Sequence, residues 1–154
     1  MKPVEKLKEL IRACIYYGSD DDGRITKTKL AKLVYLADFA YYYYELKPIT
    51  GVEYIKFKNG PVSKDFFKIV LDTNLVEIVE RKNARMCSLK KPFVKSSLSK
   101  SEIDIVKKVC EKWKGKITKE VVSFTHKQMP WKISFDGDVV PYSLIIQEDE
   151  SMLF

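Results

Sequence analysis

Apolar residues recur every three or four positions in four long stretches of the chain, and this spacing predicts a mainly helical protein. The first stretch begins at Pro3, where the first turn of a helix tolerates proline, and Gly18 ends it. The second is apolar on nearly every side, which is typical of a helix covered by other elements on both sides. The four predicted helices cover residues 3–18, 26–46, 63–72 and 99–114.

The fourth helix carries the clearest start signal. Ser99 is followed three residues later by Glu102, and this spacing predicts a capping box, in which each side chain bonds to the other residue's backbone N–H. Gly115 is typical of the end of a helix. A shorter fifth helix is predicted after Thr118, ending near His126.

Two regions between the helices predict β-structure. "VEYIKFK" alternates and is broken by "NGP", whereas "LVEIVE" and "RMCSLK" flank the turn-like "RKNA" and predict a β-hairpin. Neither a repeat nor a flexible linker interrupts residues 1–154. The sequence therefore predicts one α+β domain, predominantly helical and packed on a small antiparallel sheet or hairpin.

The second helix contains four consecutive tyrosines in "DFAYYYYEL". At 100° per residue, Tyr41 and Tyr44 fall on the same side as the aliphatic residues and are predicted to continue the core. A second group falls largely on the other side, where a tyrosine's apolar ring and polar tip suit either the core or a surface that binds a partner. Both alternatives stay open for this group, which comprises Tyr35, Phe39, Tyr42 and Tyr43.

The net charge of +7 is unevenly distributed. Basic residues concentrate in the middle of the chain, whereas residues 136–154 form an acidic tail without a single lysine or arginine. A basic hairpin could contact an acidic partner or phosphate, so a winged type of nucleic-acid-binding protein is the alternative to a protein-binding module. The basic residues of the predicted hairpin are Arg81, Lys82, Arg85, Lys90 and Lys91.

The remaining composition favours a cytoplasmic protein that is not an enzyme. Three cysteines without close pairing suit a reducing compartment, and no apolar run reaches the length of a membrane span. A metal site needs several ligands, and the single histidine, His126, is weak evidence for one. The sequence contains neither a nucleophile motif nor a loop that binds phosphate or a dinucleotide. We therefore expect no catalytic residues, no metal and no cofactor.

The segment from Thr28 to Val70 contains "KLAKLVYLAD", then "GVEY", and then "GP" before the next helix. This first signature resembles that of the Panacea domain, the family of SocA-like antitoxins and phage-associated GepA-type proteins. A second signature of that family, a histidine shortly before Pro-Trp, is similar to "SFTHKQMPW". The resemblance covers about residues 5–135. The matching positions are Lys29, Leu30, Lys32, Leu33, Tyr35, Ala37, Asp38, Gly51, Tyr54, Gly60, Pro61, His126, Pro130 and Trp131.

This resemblance implies an antitoxin that neutralises a toxin encoded beside it, often by direct contact. It also implies a second role, in which the antitoxin delivers the bound toxin to a cytosolic protease. The phage-associated relatives imply a prophage or mobile-element setting. The resemblance therefore implies that the cognate toxin is the main partner and that nucleic acid is a secondary one.

The motif residues themselves favour structural roles. Asp38 interrupts an apolar helix, so its carboxylate is expected to be hydrogen-bonded by a lysine or a tyrosine hydroxyl. Gly60 and Pro61 predict a chain reversal before the next helix. Lys29 and Lys32 are expected to be solvated, the usual state of lysine.

The second signature is likewise expected to be structural. His126 and Trp131 are predicted to pack the short fifth helix on the core, with the histidine ring hydrogen-bonded.

Overall fold

The computed structural model describes residues 1–154, which form six α-helices, two antiparallel sheets and two 3₁₀ helices. This confirms the predicted α+β class. The helices are α1 (Pro3–Gly18), α2 (Lys27–Glu45), α3 (Lys64–Val70), α4 (Lys100–Trp113), α5 (Thr118–Lys127) and α6 (Met129–Ile133). The strands are β1 (Ile25–Thr26), β2 (Ile55–Phe57), β3 (Gly60–Val62), β4 (Val76–Arg81) and β5 (Ala84–Leu89), and the 3₁₀ helices are Tyr142–Gln147 and Glu150–Met152.

Helix α2 is the centre of the fold, as its all-round apolar pattern predicts. Residues 29–41 are all buried, because α1, α4, α5 and the first 3₁₀ helix pack around them. The Thr26 hydroxyl caps the start of the helix by accepting from the backbone N–H of Lys29. Leu46 ends it in the left-handed conformation, with φ of 58°.

The two sheets lie on different parts of this helical core. In the larger sheet the strand order is β1-β5-β4, and the β4–β5 hairpin forms where the sequence predicts it. In the smaller sheet β2 pairs with β3, which the sequence does not predict. The chain reverses at Lys58 and Asn59, so the prediction of a reversal at Gly60 and Pro61 is corrected: both residues belong to strand β3.

The start of α4 confirms the predicted capping box. The Ser99 hydroxyl accepts from the Glu102 backbone N–H, and Glu102 Oε1 accepts from the Ser99 backbone N–H at 2.8 Å. Glu102 also pairs with Lys6 Nζ at 2.7 Å, which connects α4 to α1. Burial acts to raise the pKa of Glu102, but the hydrogen bonds from Lys6 and Ser99 outweigh it and hold that pKa below its ordinary value.

The acidic residues 136–154 are part of the fold rather than a separate tail. The backbone N–H of Val140 donates to the Tyr54 carbonyl at 2.7 Å, which adds this segment to the edge of β2. Further along, Leu153 is fully buried and Glu148 accepts a hydrogen bond from the backbone N–H of Met129. These contacts cover the last turns of α2 and the start of α6.

Candidate partner-binding site

Asp38 is a buried structural carboxylate on α2. Its oxygens accept from the backbone N–H groups of Ile49 (2.7 Å) and Thr50 (3.0 Å) and from the hydroxyls of Thr50 and Tyr54, the last at 2.8 Å. Burial raises the pKa of Asp38, although these hydrogen bonds act in the opposite direction. The expectation of a hydrogen-bonded carboxylate is confirmed, and the side chain anchors the loop that follows α2.

Tyr35 and Phe39 belong to the core, so the alternative of a partner-binding surface is wrong for these two residues. They are 0% and 1% exposed, and their ring centroids lie 4.6 Å apart. Tyr54 and Tyr142 complete the cluster on Phe39, with centroid distances of 5.3 and 4.7 Å. The residues that bury this side of α2 come from distant parts of the chain, so helical spacing alone could not decide between core and surface.

The other tyrosines divide along the last turn of α2. Tyr41 is buried as predicted, but Tyr44 is 45% exposed and donates to Glu150 at 2.9 Å. The assignment of Tyr44 to the core is therefore wrong: α2 ends at Glu45, and residues 44–46 at this end are exposed. Tyr42 and Tyr43 are half-buried; Tyr42 stacks on Tyr142 with centroids 5.7 Å apart.

The basic residues of the β4–β5 hairpin are all exposed. Two of them have acidic neighbours: Arg81 lies 3.6 Å from Asp22, and Arg85 lies 3.7 Å from Glu80. Such exposed ion pairs are weak, so the hairpin still presents a positive surface. Its exposed bases are Arg81, Lys82 and Arg85, with Lys90 and Lys91 following β5.

Lys29 and Lys32 are buried, which corrects the expectation that both are solvated. Lys29 Nζ donates to the Lys116 carbonyl at 2.6 Å, and burial lowers its pKa. Lys32 is 2% exposed, and its Nζ donates to the Pro61 carbonyl at 3.3 Å. Burial lowers the pKa of Lys32 to about 7. Both lysines lie on a helix that is apolar on nearly every side, which is the signal that could have identified them.

Lys32 lines a cavity of about 230 Å³ between α2, the β2–β3 hairpin and α3. Gly60, in β3, has φ of +127°, and a Cβ there would lie 3.0 Å from Lys32 Nζ. Glycine therefore allows the hairpin backbone to approach the lysine. The residues that line the cavity are Lys27, Thr28, Ala31, Lys32, Phe57, Lys58, Asn59, Gly60, Val62, Phe66 and Phe67.

The second signature supports this hairpin from the other side. The His126 ring stacks on Trp131 with centroids 3.9 Å apart, and Trp131 Nε1 donates to the Phe57 carbonyl at 3.2 Å. Lys56 Nζ lies 4.0 Å from the centre of the indole ring. Burial lowers the pKa of His126, while a backbone hydrogen bond at Lys58 acts in the opposite direction. The predicted hydrogen bonding of the ring is incomplete, since its Nε2 has no partner.

A family model described as "Antitoxin SocA-like, Panacea domain" matches residues 30–132, two thirds of the chain. The chain belongs to the SocA-like Panacea family. No curated protein and no solved structure matches it at a significant level. None of its helices is both long and apolar enough to cross a membrane.

The matched region of this Panacea domain contains every residue of the cavity except Lys27 and Thr28. Its two signatures, far apart in sequence, meet at the β2–β3 hairpin: Lys32 holds one strand through Pro61, and Trp131 holds the other through Phe57. Sequence reasoning identified the signature residues but missed the cavity they enclose, because Phe57, Phe66 and Phe67 carry no motif of their own.

Proposed function

We propose that this Panacea domain is an antitoxin that neutralises a toxin encoded by a neighbouring gene, and that it does so by direct protein–protein contact. The observation that carries the proposal is membership of an antitoxin family over residues 30–132. The paired toxin is expected to bind a surface that exposes apolar and aromatic side chains, because such side chains dominate the energy of protein interfaces.

The best candidate for that surface surrounds the β2–β3 hairpin. Phe57 and Phe67 are 38% and 37% exposed, and their rings meet edge-to-face with centroids 6.0 Å apart. The segment after α6 adds exposed Phe135 and Val139, and it is joined to β2 by backbone hydrogen bonds at Lys56. We call Phe57, Phe67, Phe135 and Val139 the hairpin face. Exposed apolar residues on neighbouring elements favour an interaction surface.

A second proposed contact is the end of α2, where Tyr42 and Tyr43 are half-buried and Tyr44 is exposed. Tyr43 and Tyr44 pack edge-to-face with centroids 5.3 Å apart. Tyrosine suits a partner-binding surface because its ring buries apolar area while its hydroxyl finds a polar partner. This tyrosine end and the hairpin face lie on different elements, so variants can separate their contributions.

The first test is a growth assay with the genes on either side of the coding sequence. Each neighbour is induced alone and then together with this protein. We expect one neighbour to stop growth and co-expression to restore it, and the two proteins to co-purify. If neither neighbour is toxic, or if rescue occurs without any complex, direct neutralisation is contradicted.

Delivery to a protease makes a different prediction for the same pair. If the antitoxin acts as a proteolytic adaptor, the half-life of the toxin falls when the antitoxin is present and recovers in a protease-deficient host. Direct inhibition leaves the half-life unchanged or lengthens it, because the bound toxin is protected. A pulse-chase measurement of toxin levels separates these two mechanisms.

A second candidate function is nucleic-acid binding, which the β1-β5-β4 sheet order favours. In that order β5 pairs with β1 beside the helical core, so the basic β4–β5 hairpin resembles the wing of a winged DNA-binding module. Arg81 and Lys82 lie near its exposed turn. Phosphate contacts release counterions, so binding to duplex DNA would weaken steeply between low and moderate salt. Replacing Arg81, Lys82 and Arg85 with glutamate should then abolish DNA binding but leave toxin neutralisation intact.

A further inference from the structure

We infer that the cavity beside Lys32 receives the C-terminal residue of the toxin, with the α-carboxylate on Lys32 Nζ and an apolar side chain against the surrounding phenylalanines. The inference rests on the proposed function for the identity of the partner. The binding chemistry itself follows from four features of the cavity.

The first feature is the unused hydrogen-bonding capacity of Lys32. An ammonium group has three N–H donors, whereas Lys32 Nζ has a single partner, the Pro61 carbonyl, at the long distance of 3.3 Å. None of the salt bridges in the structure involves Lys32, although the side chain is only 2% exposed. A buried ammonium without an anion is costly, and a carboxylate entering the cavity would remove that cost.

The second feature is the charge around the cavity. Lys27 and Lys58 also line it, and no aspartate or glutamate does. On the hairpin's other side lies His126, whose pKa is lowered by burial and in part by the charges of Lys32 and Lys56. All of these groups are basic, so the electrostatic potential in the cavity favours an anion and disfavours a cation.

The third feature is the combination of size and lining. The volume of about 230 Å³ lies below the roughly 300–1,000 Å³ of typical small-molecule sites, and it suits a single residue of a partner protein. Phe57, Phe66, Phe67 and Val62 form its apolar part. A C-terminal residue joins a carboxylate and an apolar side chain at one Cα, whereas an internal aspartate or glutamate would need room for a chain that continues in both directions.

The fourth feature is Gly60, which lets the hairpin backbone approach Lys32 closely. A Cβ at this position would lie 3.0 Å from Lys32 Nζ and 3.1 Å from Thr125 Oγ1, so a larger residue would displace the lysine head group. A C-terminal carboxylate is a recurrent recognition element in peptide binding.

The test uses short acetylated peptides ending in leucine, methionine or phenylalanine, each as the free acid and as the C-terminal amide. Binding to the purified domain is measured by calorimetry and by NMR titration. We expect at least one free acid to bind. Its amide should bind at least about tenfold more weakly, since the amide lacks the charge-assisted hydrogen bond. Equal binding of acid and amide, or no binding by any free acid, overturns the inference.

Two variants make the test specific. Lys32→Met preserves the bulk of the side chain and should remove the preference for the free acid. Lys29→Met is the matched control, because Lys29 is one turn away on α2, is also buried, and bonds to the Lys116 carbonyl outside the cavity. Retention of the acid preference in Lys32→Met overturns the inference. If Lys32→Met does not fold, the acid–amide comparison on the unaltered domain decides alone.

Two further probes identify other occupants. An amidated peptide with an internal glutamate that binds as tightly as the free acids would assign the cavity to acidic side chains and overturn the C-terminal assignment. Binding of 3-phenylpropionate without binding of any peptide would assign it to a small carboxylate and would also overturn the inference. None of these measurements depends on toxicity, so a failed growth assay with successful peptide binding refutes the proposed partner and leaves the cavity's chemistry intact.

Discussion

The hydroxyl of Tyr35 donates a 2.8 Å hydrogen bond to Oε1 of Gln128, and both residues are fully buried. The amide nitrogen of Gln128 donates in turn to the carbonyls of Met152 (2.8 Å) and Leu153 (3.1 Å). A continuous set of buried hydrogen bonds therefore connects the centre of α2 to the second 3₁₀ helix. The tyrosine of the first signature acts as a structural donor, not as a partner contact.

Replacing Tyr35 with phenylalanine should lower the free energy of unfolding by about 1–3 kcal/mol, because Gln128 Oε1 loses its buried donor. Tyr43→Phe is the control, since Tyr43 is half-buried and packs on Tyr44 at the surface. The control should change stability by less than about 0.5 kcal/mol. Urea unfolding of both variants measures the difference, and equal stability of the two would contradict the role assigned to Tyr35.

Replacing Asp38 with alanine should cost about 3–5 kcal/mol, because the backbone N–H groups of Ile49 and Thr50 and the Tyr54 hydroxyl would lose their buried acceptor. Asp38→Asn keeps the shape and one acceptor oxygen, so its cost should be smaller. Thermal or urea unfolding measures both. The anchoring role fails if Asp38→Ala is as stable as Asp38→Asn.

Stability should rise with pH above neutrality because of Lys32. Its pKa is lowered to about 7 in the folded protein, from an ordinary value of 10.5. Between these values the unfolded chain binds more protons at this site than the folded chain, so the free energy of unfolding increases with pH by up to about 1.4 kcal/mol per unit. This contribution is lost as the pH falls through about 7.

The measurement is a comparison of the unaltered protein with Lys32→Met by urea unfolding between pH 7 and 9. The difference in stability between them should shift by roughly 2 kcal/mol over this range. Comparing the two proteins cancels the titration of cysteines and tyrosines, which are the same in both. A difference that does not change with pH would show that Lys32 keeps its ordinary pKa.

The three candidate surfaces should respond differently in the growth-rescue assay. Replacing Phe57 and Phe67 with serine is expected to weaken toxin binding at least about tenfold, because truncated aromatic contacts usually account for much of an interface's energy. Replacing Arg81, Lys82 and Arg85 with alanine should leave rescue unchanged. Affinity is measured by calorimetry with the co-purified toxin, and melting temperatures confirm that each variant is folded.

The tyrosine end is tested by Tyr42→Ser and Tyr43→Ser. Loss of rescue in a variant that remains folded at the assay temperature would place the toxin at this surface and not at the hairpin face. Tyr42→Ser should itself lower the melting temperature more than Tyr43→Ser, because the Tyr42 ring stacks on Tyr142.

Local signals in the sequence were enough for most of the helices. The bounds of α2, the capping box at Ser99 and the β4–β5 hairpin all follow from residues close in sequence. Strand β3 was missed because Pro61 is usually a strand breaker, and here it sits in a two-stranded hairpin where its missing N–H costs little.

What could not be predicted depends on contacts between distant residues. Tyr35 is buried by Gln128 and Tyr54, and Lys32 by the hairpin around Gly60. Periodicity places a residue on one side of a helix, but it does not reveal which later segment covers that side. The cavity was missed for the same reason, since its walls come from α2, β2, β3 and α3.

The order of synthesis gives the C-terminal cover of α2 a consequence for the newborn chain. The Tyr142 hydroxyl donates to Asp38, which lies 104 positions earlier in the sequence, and Gln128 donates to the carbonyls of Met152 and Leu153. A ribosome therefore releases the apolar surface of α2 well before the residues that close over it. During this interval the apolar surface of α2 is open to chaperones and proteases. A chain that is interrupted before Tyr142 keeps this surface exposed.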